Sequence, residues 1–290
     1  MQDHVTFVHL TDLHVGDPKV EDRHLYTDTR ENLRAILAAV KALQPAPAFV
    51  VASGDLTNRG DVGSYRELKR ILVEADLAMP VVLAIGNHDT REGFYRGMLG
   101  RTEDLAAPYY HSQVIAGVQV ITLDTSAPKE VGGSIEPEQF AWLEEQLAAH
   151  LGMPKLIVAH HAPILDEDNV GGEWEAINGA DTAELRELLA GRRDVVGILS
   201  GHMHYDRVSH WHGIPVVTGM GQHAAMDVLW LHEGLRMVEG TSFAIGTIRP
   251  SGLSIAFAPM PSSRREVMKV RFADMPALTK KFYAANEAAE

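Results

Sequence analysis

Short apolar runs recur along the first two hundred residues of this chain. They cover residues 5–10, 48–53, 81–85, 156–159 and 195–200. These runs are rich in Val, Ile, Leu and Phe and contain few polar side chains, a pattern typical of strands that are buried on both faces. Longer segments with helical periodicity lie between them. This alternation predicts an α/β fold.

The intervening segments carry apolar residues three and four positions apart. Residues 22–43 and 65–77 are predicted to form crossover helices, and two further helices are expected around residues 140–147 and 185–189. A hairpin around Ala116-Gly117 starts a second predicted sheet. Later strands are predicted at residues 208–211, 214–217, 242–248 and 253–257.

Five blocks of polar, metal-seeking residues follow the five apolar runs. They are Asp12-Leu13-His14, Gly54-Asp55, Gly86-Asn87-His88-Asp89, His160-His161 and Gly201-His202-Met203-His204. Each block offers carboxylate, imidazole or amide donors, which suit Zn, Mn or Fe, and the chain has no cysteine to compete. Because each block sits where a strand gives way to a loop, the blocks can converge if these strand ends share one edge. Residues two apart at a strand end point to the same side, so Asp12 and His14 are expected to reach one ion together.

In order and spacing, these blocks resemble the signature motifs of the calcineurin-like metallophosphoesterases. The fourth block, His160-His161-Ala162-Pro163, has Ala162 where related sequences often have proline. The strand end at residues 122–126, Gly133 and the helix at 138–143 are most similar to the bacterial class III cyclic-nucleotide phosphodiesterases and related glycerophosphodiesterases. The resemblance implies a four-layer α/β/β/α sandwich of two mixed sheets.

The resemblance also implies two metal ions, which could be Fe, Mn, Zn or Co. One would be held by Asp12, His14, Asp55 and His204, and the other by Asp55, Asn87, His160 and His202. Asp55 would bridge them, since two cations about 3.5–4 Å apart need an anion between them. A hydroxide generated by the metals would attack phosphorus. Asp55, Asn87 and His88 are the expected catalytic residues.

His88 is expected to stabilise the transition state or to protonate the leaving alkoxide, with Asp89 orienting its ring. Three other side chains are open to two interpretations. For His161, a supporting or substrate contact is favoured over metal coordination. Arg59 either contacts phosphate or is a solvated loop charge. His223 either lines the pocket or, as the favoured interpretation has it, lies on a surface loop.

The composition sets the context for this site. With 290 residues, 46% of them hydrophobic, the chain is long enough for one large domain. We expect a catalytic domain over residues 1–260 and a C-terminal extension over 261–290, which either caps the pocket or forms a subunit contact in a homo-oligomer. No apolar run approaches the roughly 20 residues that span a bilayer, and because the first predicted strand begins almost at Met1 we expect no signal peptide. The expected location is the cytoplasm, without a membrane partner.

The net charge of −13 disfavours long polyanions, because they would be repelled outside the immediate site. We therefore expect hydrolysis of a small phosphodiester, either a 3′,5′-cyclic nucleotide or a glycerophosphodiester, rather than binding of a nucleic-acid polymer. A phosphomonoesterase, a phosphoprotein phosphatase or a nuclease of the same superfamily is the alternative. Asp89 stands where the phosphatases usually have glutamate. A non-catalytic scaffold is disfavoured because every ligand position is filled.

Overall fold

The computed structural model describes residues 4–165, 176–231 and 233–275, and within them two large mixed sheets face each other. The strands are β1 Val5–Leu10, β2 Phe49–Ser53, β3 Val81–Ala84, β4 His111–Ile115, β5 Val118–Thr122, β6 Lys155–Val158, β7 Val195–Ser200, β8 Arg207–Trp211, β9 Ile214–Thr218, β10 Ala225–Met226, β11 Gly234–Val238, β12 Ser242–Arg249, β13 Gly252–Pro259 and β14 Glu266–Arg271. The first sheet has the order β13-β12-β1-β2-β3, and the second has the order β4-β5-β6-β7-β9-β8. The predicted hairpin and late strands are confirmed.

Helices cover the outer face of each sheet. They are α1 Thr29–Lys41, α2 Val62–Ala75, α3 Arg91–Gly93, α4 Pro137–Ala148 and α5 Gly179–Leu189, with a π-helical turn, Phe94–Leu99, directly after α3. The apolar stripes of α1 and α2 pack on the first sheet. Those of α4 and α5 pack on the second sheet. This confirms the expected four-layer α/β/β/α sandwich.

The inner core lies between the two sheets. Phe7 on β1 is paired with Phe49 on β2, and their rings stack with centroids 5.3 Å apart. Both side chains belong to the cluster that also contains Val120 and Leu156 of the second sheet. Val8, one residue after Phe7, packs instead toward the helices. Because alternate side chains point to opposite faces, each strand packs against the helices on one face and against the other sheet on the other face. Both faces are therefore apolar, which explains the continuous apolar runs.

Helix α1 begins later than its apolar periodicity indicates. Residues 22–28 were predicted to be helical, but the helix starts at Thr29, where the Asp28 side chain accepts a hydrogen bond from the backbone N–H of Glu31. This N-cap satisfies a backbone donor that the first turn leaves unpaired, so the helix starts there and not at residue 22. The residues before it form a loop that bears on the candidate site.

A third, three-stranded sheet has the order β10-β11-β14. It packs against Met203 and Tyr205, in and just after the fifth polar block. Strand β14 lies in the predicted C-terminal extension and pairs with β11, so residues on both sides of position 260 share this sheet. Residues 276–290, on which most of the predicted cap or subunit contact falls, lie outside the described residues. Within the described ranges, no helix has the length and apolar character needed to cross a membrane.

An ion pair between a buried lysine and a partly buried aspartate lies at the end of the second sheet where β6 begins. Lys155 is fully buried, and its Nζ donates to Asp194 Oδ2 at 2.9 Å and to the carbonyl oxygens of His150 and Met153. Burial opposes ionisation of Asp194, but Lys155 outweighs it and lowers the pKa of this carboxyl. Each charge of the pair therefore depends on the other.

We expect Asp194→Ala to destabilise the protein by about 3 kcal/mol, since it leaves a buried ammonium without its counter-ion. Lys155→Met should cost far less, because an apolar side chain of similar length replaces the buried charge. Urea denaturation of both variants and of the double variant measures this. The double variant should be more stable than Asp194→Ala alone, and a double variant that is equally or less stable would contradict the argument.

Candidate metal centre

The five polar blocks meet at the carboxyl ends of β1, β2, β3, β6 and β7, so both sheets contribute to one site. His14 Nε2 lies 3.6 Å from Asp55 Oδ2, and His160 Nε2 lies 3.3 Å from the same oxygen. His204 Nε2 lies 3.4 Å from Asp12 Oδ1. Ring centroids of His160 and His202 are 5.4 Å apart. The structure thus brings the predicted carboxylates and imidazoles together.

The chain reaches this arrangement through unusual backbone conformations. Asp12, His14, Asp55, His202 and His204 all have positive φ angles, of 48°, 44°, 46°, 72° and 52°. Such angles are uncommon for residues with a side chain and concentrate at functional sites. Asp12 and His14 lie beyond the end of β1, so the expected strand alternation is the wrong reason for their convergence. The left-handed backbone conformations at Asp12 and His14 direct both side chains into the site.

Backbone contacts hold these turns in place. The N–H of Asp12 donates to the carbonyl of Gly54 at 3.0 Å, and the N–H of His14 donates to that of Asp55 at 2.9 Å. Gly54 has φ +116°, and a Cβ on it would lie 2.5 Å from His160 Nδ1. A side chain at this position would therefore be strained and would displace the imidazole. The glycine in the second block is thus part of the site.

Three histidines have their Nδ1 atoms hydrogen-bonded to protein acceptors. His160 Nδ1 lies 3.1 Å from the carbonyl oxygen of Ser53, and His204 Nδ1 lies 2.9 Å from that of Ala224. His14 Nδ1 lies 2.9 Å from the amide oxygen of Asn58. Because oxygen acceptors require a proton on Nδ1, the lone pair of each neutral ring is on Nε2, which faces the site.

The surroundings of these Nε2 atoms test whether the site fits a cation, because a metal ion would accept lone pairs that have no hydrogen-bond donor beside them. His14 Nε2 and His204 Nε2 lie 3.2 Å apart, although neither carries a proton in this arrangement. Asn87 Oδ1 is buried without a hydrogen-bond partner in the described part of the chain, and the buried His160 Nε2 lies 3.3 Å from Asp55 Oδ2. Metal–nitrogen bonds of about 2.0–2.1 Å place neighbouring donors roughly 3.0–3.4 Å apart, close to these separations. The donor set fits metal ions.

The charge of the site supports the same conclusion. Asp12 and Asp55 are 0% and 1% exposed. Burial raises the pKa of Asp12, although His204 and His160 oppose this. At Asp55 burial acts in the same direction, but His160 and His88 outweigh it and hold the pKa well below its usual range. Burial lowers the pKa of His160, yet Asp55 outweighs that effect and raises it to about 9. The carboxylates need positive charge beside them.

Asp89 does not have the predicted role of orienting His88. Its two carboxylate oxygens accept hydrogen bonds from the backbone N–H groups of Leu56, Thr57 and Gly86 and from the hydroxyls of Thr57 and Tyr65. His88 Nδ1 instead lies 3.0 Å from the carbonyl oxygen of Asn58. Asp89 therefore fixes the loops around the second and third blocks, and the loop after Asp55 orients His88.

His161 has both ring nitrogens in hydrogen bonds. Nε2 lies 3.0 Å from the carbonyl oxygen of Val131, and Nδ1 lies 2.9 Å from Thr125 Oγ1. The carbonyl requires the proton on Nε2, so Nδ1 accepts from the threonine hydroxyl and no lone pair remains for a cation. This supports the interpretation of His161 as a supporting residue, with its ring centroid 4.6 Å from that of His202.

The surface-loop interpretation of His223 is wrong. This residue is 8% exposed, and its ring centroid lies 4.9 Å from that of His14. Its Nε2 accepts a hydrogen bond from the backbone N–H of Tyr26, and its ring stacks on the Tyr26 ring. His14, His204 and His223 form a group whose ligand atoms lie within 4.8 Å of one another. His223 therefore lines the site.

Sequence reasoning also missed Asn58, whose side chain contacts His14. The sequence signal for Asn58 is its position three residues after Asp55, in the same glycine-bounded loop as Arg59. Arg59 is partly buried, and the described residues give its guanidinium no ion pair. That Arg59 contacts phosphate, or alternatively is a solvated loop charge, remains a prediction.

Comparison with known proteins defines the class. Residues 5–206 match the model of the calcineurin-like phosphoesterase family. A probable cyclic nucleotide phosphodiesterase of Rhodococcus erythropolis is 35% identical over 72% of this chain and 68% of its own length. A cAMP/cGMP dual specificity phosphodiesterase of Mycobacterium tuberculosis is 32% identical over 79% of this chain and 72% of its own length. The chain therefore belongs to the calcineurin-like phosphoesterase family, a family of metal-dependent phosphoesterases.

Solved structures agree on the fold. A purple acid phosphatase from yellow lupin superposes with a TM-score of 0.62 at 15% identity, over 88% of this chain. The chain spans about half the length of that phosphatase, 51%. GAP50 of Plasmodium superposes with a TM-score of 0.54 at 14% identity, over 92% of this chain and 90% of its own length. At these identities the likeness concerns the fold alone.

We expect Mn²⁺ or Zn²⁺ added to chelator-treated protein to raise its melting temperature, because binding to the folded state stabilises it. Asp55→Ala should abolish most of that rise, since it removes the carboxylate that lies between His14 and His160. Thermal unfolding and plasma-emission analysis of metal content measure both effects. Asp76→Asn, an exposed aspartate at the far end of α2, is the matched control and should behave as wild type. Equal metal content in Asp55→Ala and wild type would remove Asp55 from the site.

Proposed function

We propose that this protein is a two-metal phosphodiesterase that hydrolyses a small phosphodiester, either a 3′,5′-cyclic nucleotide or a glycerophosphodiester. The observation that carries the proposal is the position of Asp55 between two groups of donors. Its Oδ2 atom lies 3.6 Å from His14 Nε2 on one side and 3.3 Å from His160 Nε2 on the other. A buried carboxylate in this position is suited to bridging two cations.

The donors divide into two sets around this carboxylate. Asp12, His14 and His204 would join Asp55 in holding one ion, as supported by the short separations among their Nε2 and carboxylate atoms. Asn87, His160 and His202 would join Asp55 in holding the other, as supported by Asn87 Oδ1, which has no hydrogen-bond partner among the described residues, and by His160 Nε2, 3.3 Å from Asp55 Oδ2. Bound cations would supply Lewis acidity and a nucleophile available near neutral pH.

The chain's own residues would do the rest of the chemistry. His88 is partly buried, its backbone N–H donates to Asp55 Oδ1 at 2.9 Å, and its ring lies edge-on to that of His14 with centroids 4.7 Å apart. With Nδ1–H directed at the Asn58 carbonyl, Nε2 of the doubly protonated ring is the atom that would give its proton to the leaving alkoxide as the P–O bond breaks, which leaves a neutral imidazole. His223 lines the same site, with its ring centroid 4.9 Å from that of His14, and would contact the substrate.

The substrate class is supported by the relatives and by charge. The two relatives described above are named as cyclic nucleotide phosphodiesterases, and a protein of Arcobacter nitrofigilis that is 25% identical over 73% of this chain and 76% of its own length is named as a probable glycerophosphodiester phosphodiesterase. A compact diester carries a single negative charge, which the metals would meet. A long polyanion would bring further charges to a protein of net charge −13.

We expect 3′,5′-cyclic AMP, a glycerophosphodiester and bis(p-nitrophenyl) phosphate to be hydrolysed faster than phosphate monoesters, and DNA to be cut hardly at all. The reason is that each added phosphate meets repulsion and gains no basic partner. The measurement is kcat/KM for each substrate with metal-reconstituted protein at fixed salt. If DNA or a phosphopeptide exceeded every small diester tenfold, about 1.4 kcal/mol in transition-state stabilisation, a nuclease or phosphatase assignment would replace this one.

His88→Ala should lower kcat/KM by roughly 10²–10⁴-fold on alkyl diesters and much less on aryl esters, whose leaving groups depart without a proton. His210→Ala, an exposed histidine on β8, is the control and should leave both rates unchanged. Equal losses on the two substrate types would assign His88 a purely electrostatic role. Unchanged rates on both would place it outside the reaction.

A further inference from the structure

Asn58 connects two of the site's histidines to the loop before helix α1. Its side chain is buried, and its Oδ1 atom lies 2.9 Å from His14 Nδ1. Its Nδ2 atom donates to Asp22 Oδ2 at 2.7 Å. Its backbone carbonyl oxygen lies 3.0 Å from His88 Nδ1. One residue therefore makes contact with a metal-ligand candidate and with the candidate general acid.

The chemistry of these contacts fixes the orientation of each group. An ionised carboxylate can only accept hydrogen bonds, so the atom of Asn58 that faces Asp22 must be the NH₂ group. The amide oxygen then faces His14 and requires a proton on His14 Nδ1. This leaves the lone pair on Nε2, the atom that faces Asp55 and His204. Asp22 thus sets the tautomer of His14 through one intervening amide.

Asp22 is itself held in place. Its Oδ1 atom accepts from the backbone N–H of His24 at 3.0 Å, which leaves Oδ2 for Asn58. At the start of α1, Thr29 Oγ1 donates to the carbonyl oxygen of His14 at 2.8 Å. The segment 22–29 therefore holds His14 in two ways. Asp22 contacts its ring indirectly through Asn58, and Thr29 bonds to its backbone.

We propose that Asp22 and Asn58 are positioning residues that present His14 Nε2 to the metal bound by the first set of donors. The relay of carboxylate, amide and imidazole has the same effect as a carboxylate bonded directly to a ligating histidine, an arrangement whose loss typically weakens metal binding 10–100-fold. The proposal rests on the proposed two-metal function. It adds that a loop outside the five polar blocks determines affinity at one of the two metal positions.

The relay is tested by exchanging its members and titrating metal-free protein with Mn²⁺ in a calorimeter. Asn58→Asp keeps an acceptor for His14 but sets two carboxylates against each other, so binding at the first position should weaken at least tenfold. Adding Asp22→Asn to that variant restores a donor and an acceptor in contact, with their places exchanged. The double variant should recover most of the lost affinity, because only residues in contact couple in this way.

Controls separate positioning from general damage. Glu21→Gln removes the same charge one residue earlier, at an exposed position, and should bind Mn²⁺ within about twofold of wild type. Urea unfolding of the metal-free variants should show the double variant to be as stable as wild type. The second binding step, assigned to the donors around His160, should keep its affinity in every variant.

The outcomes distinguish this inference from the function on which it rests. If wild-type protein bound no Mn²⁺, the two-metal function itself would fail. If wild type bound two ions and Asn58→Asp bound them equally well, the relay would be overturned. The relay would also be overturned if the double variant bound more weakly than Asn58→Asp alone, or if both binding steps weakened together.

Discussion

The organisation of this protein depends on burying two carboxylates among imidazoles. Asp12 and Asp55 are almost inaccessible to solvent, and an isolated buried carboxylate is strongly unfavourable. The surrounding histidines offset this in part, as the lowered pKa of Asp55 and the raised pKa of His160 indicate. They also crowd lone pairs within 3.2 Å of each other. A cation resolves both problems together, because it attracts the carboxylates and accepts the lone pairs. The site is therefore an arrangement that metal binding completes.

Holding such groups together requires a stiff frame. Five site residues adopt left-handed backbone conformations, each of which costs about 1–2 kcal/mol for a residue with a side chain. The paired sheets supply the opposing stability through the stacked Phe7 and Phe49 and the cluster between the sheets. Asp89 contributes by tying Leu56, Thr57, Gly86 and Tyr65 to one carboxylate. Strain at the ends of the strands is thus balanced by packing along their length.

The sequence was informative where local pattern and chemistry coincide. Apolar runs followed by Asp, Asn and His blocks predicted the strands, the shared edge and the set of donors. It was less informative where long-range contacts determine the end of an element or the burial of a side chain. The start of α1 is determined by the Asp28 cap, and the burial of His223 depends on Tyr26, nearly two hundred residues away. Asp89 is next to His88 in the sequence and was expected to orient it, yet the His88 ring contacts the carbonyl of Asn58, thirty residues earlier in the chain.

The segment 22–29, which leads into α1, joins the contributions of the two sheets. Through Asp22 and Thr29 it holds His14, and through Tyr26 and Thr27 it holds His223, which follows the last strand of the second sheet. Asn32, in the first turns of α1, adds a hydrogen bond to the carbonyl of Gln222. The strand ends determine the positions of the donors, and the segment 22–29 determines the ring orientation of two imidazoles, those of His14 and His223. Residues 22–29 carry none of the donors, yet they can change the site, since an imidazole binds a cation only when its lone pair faces it.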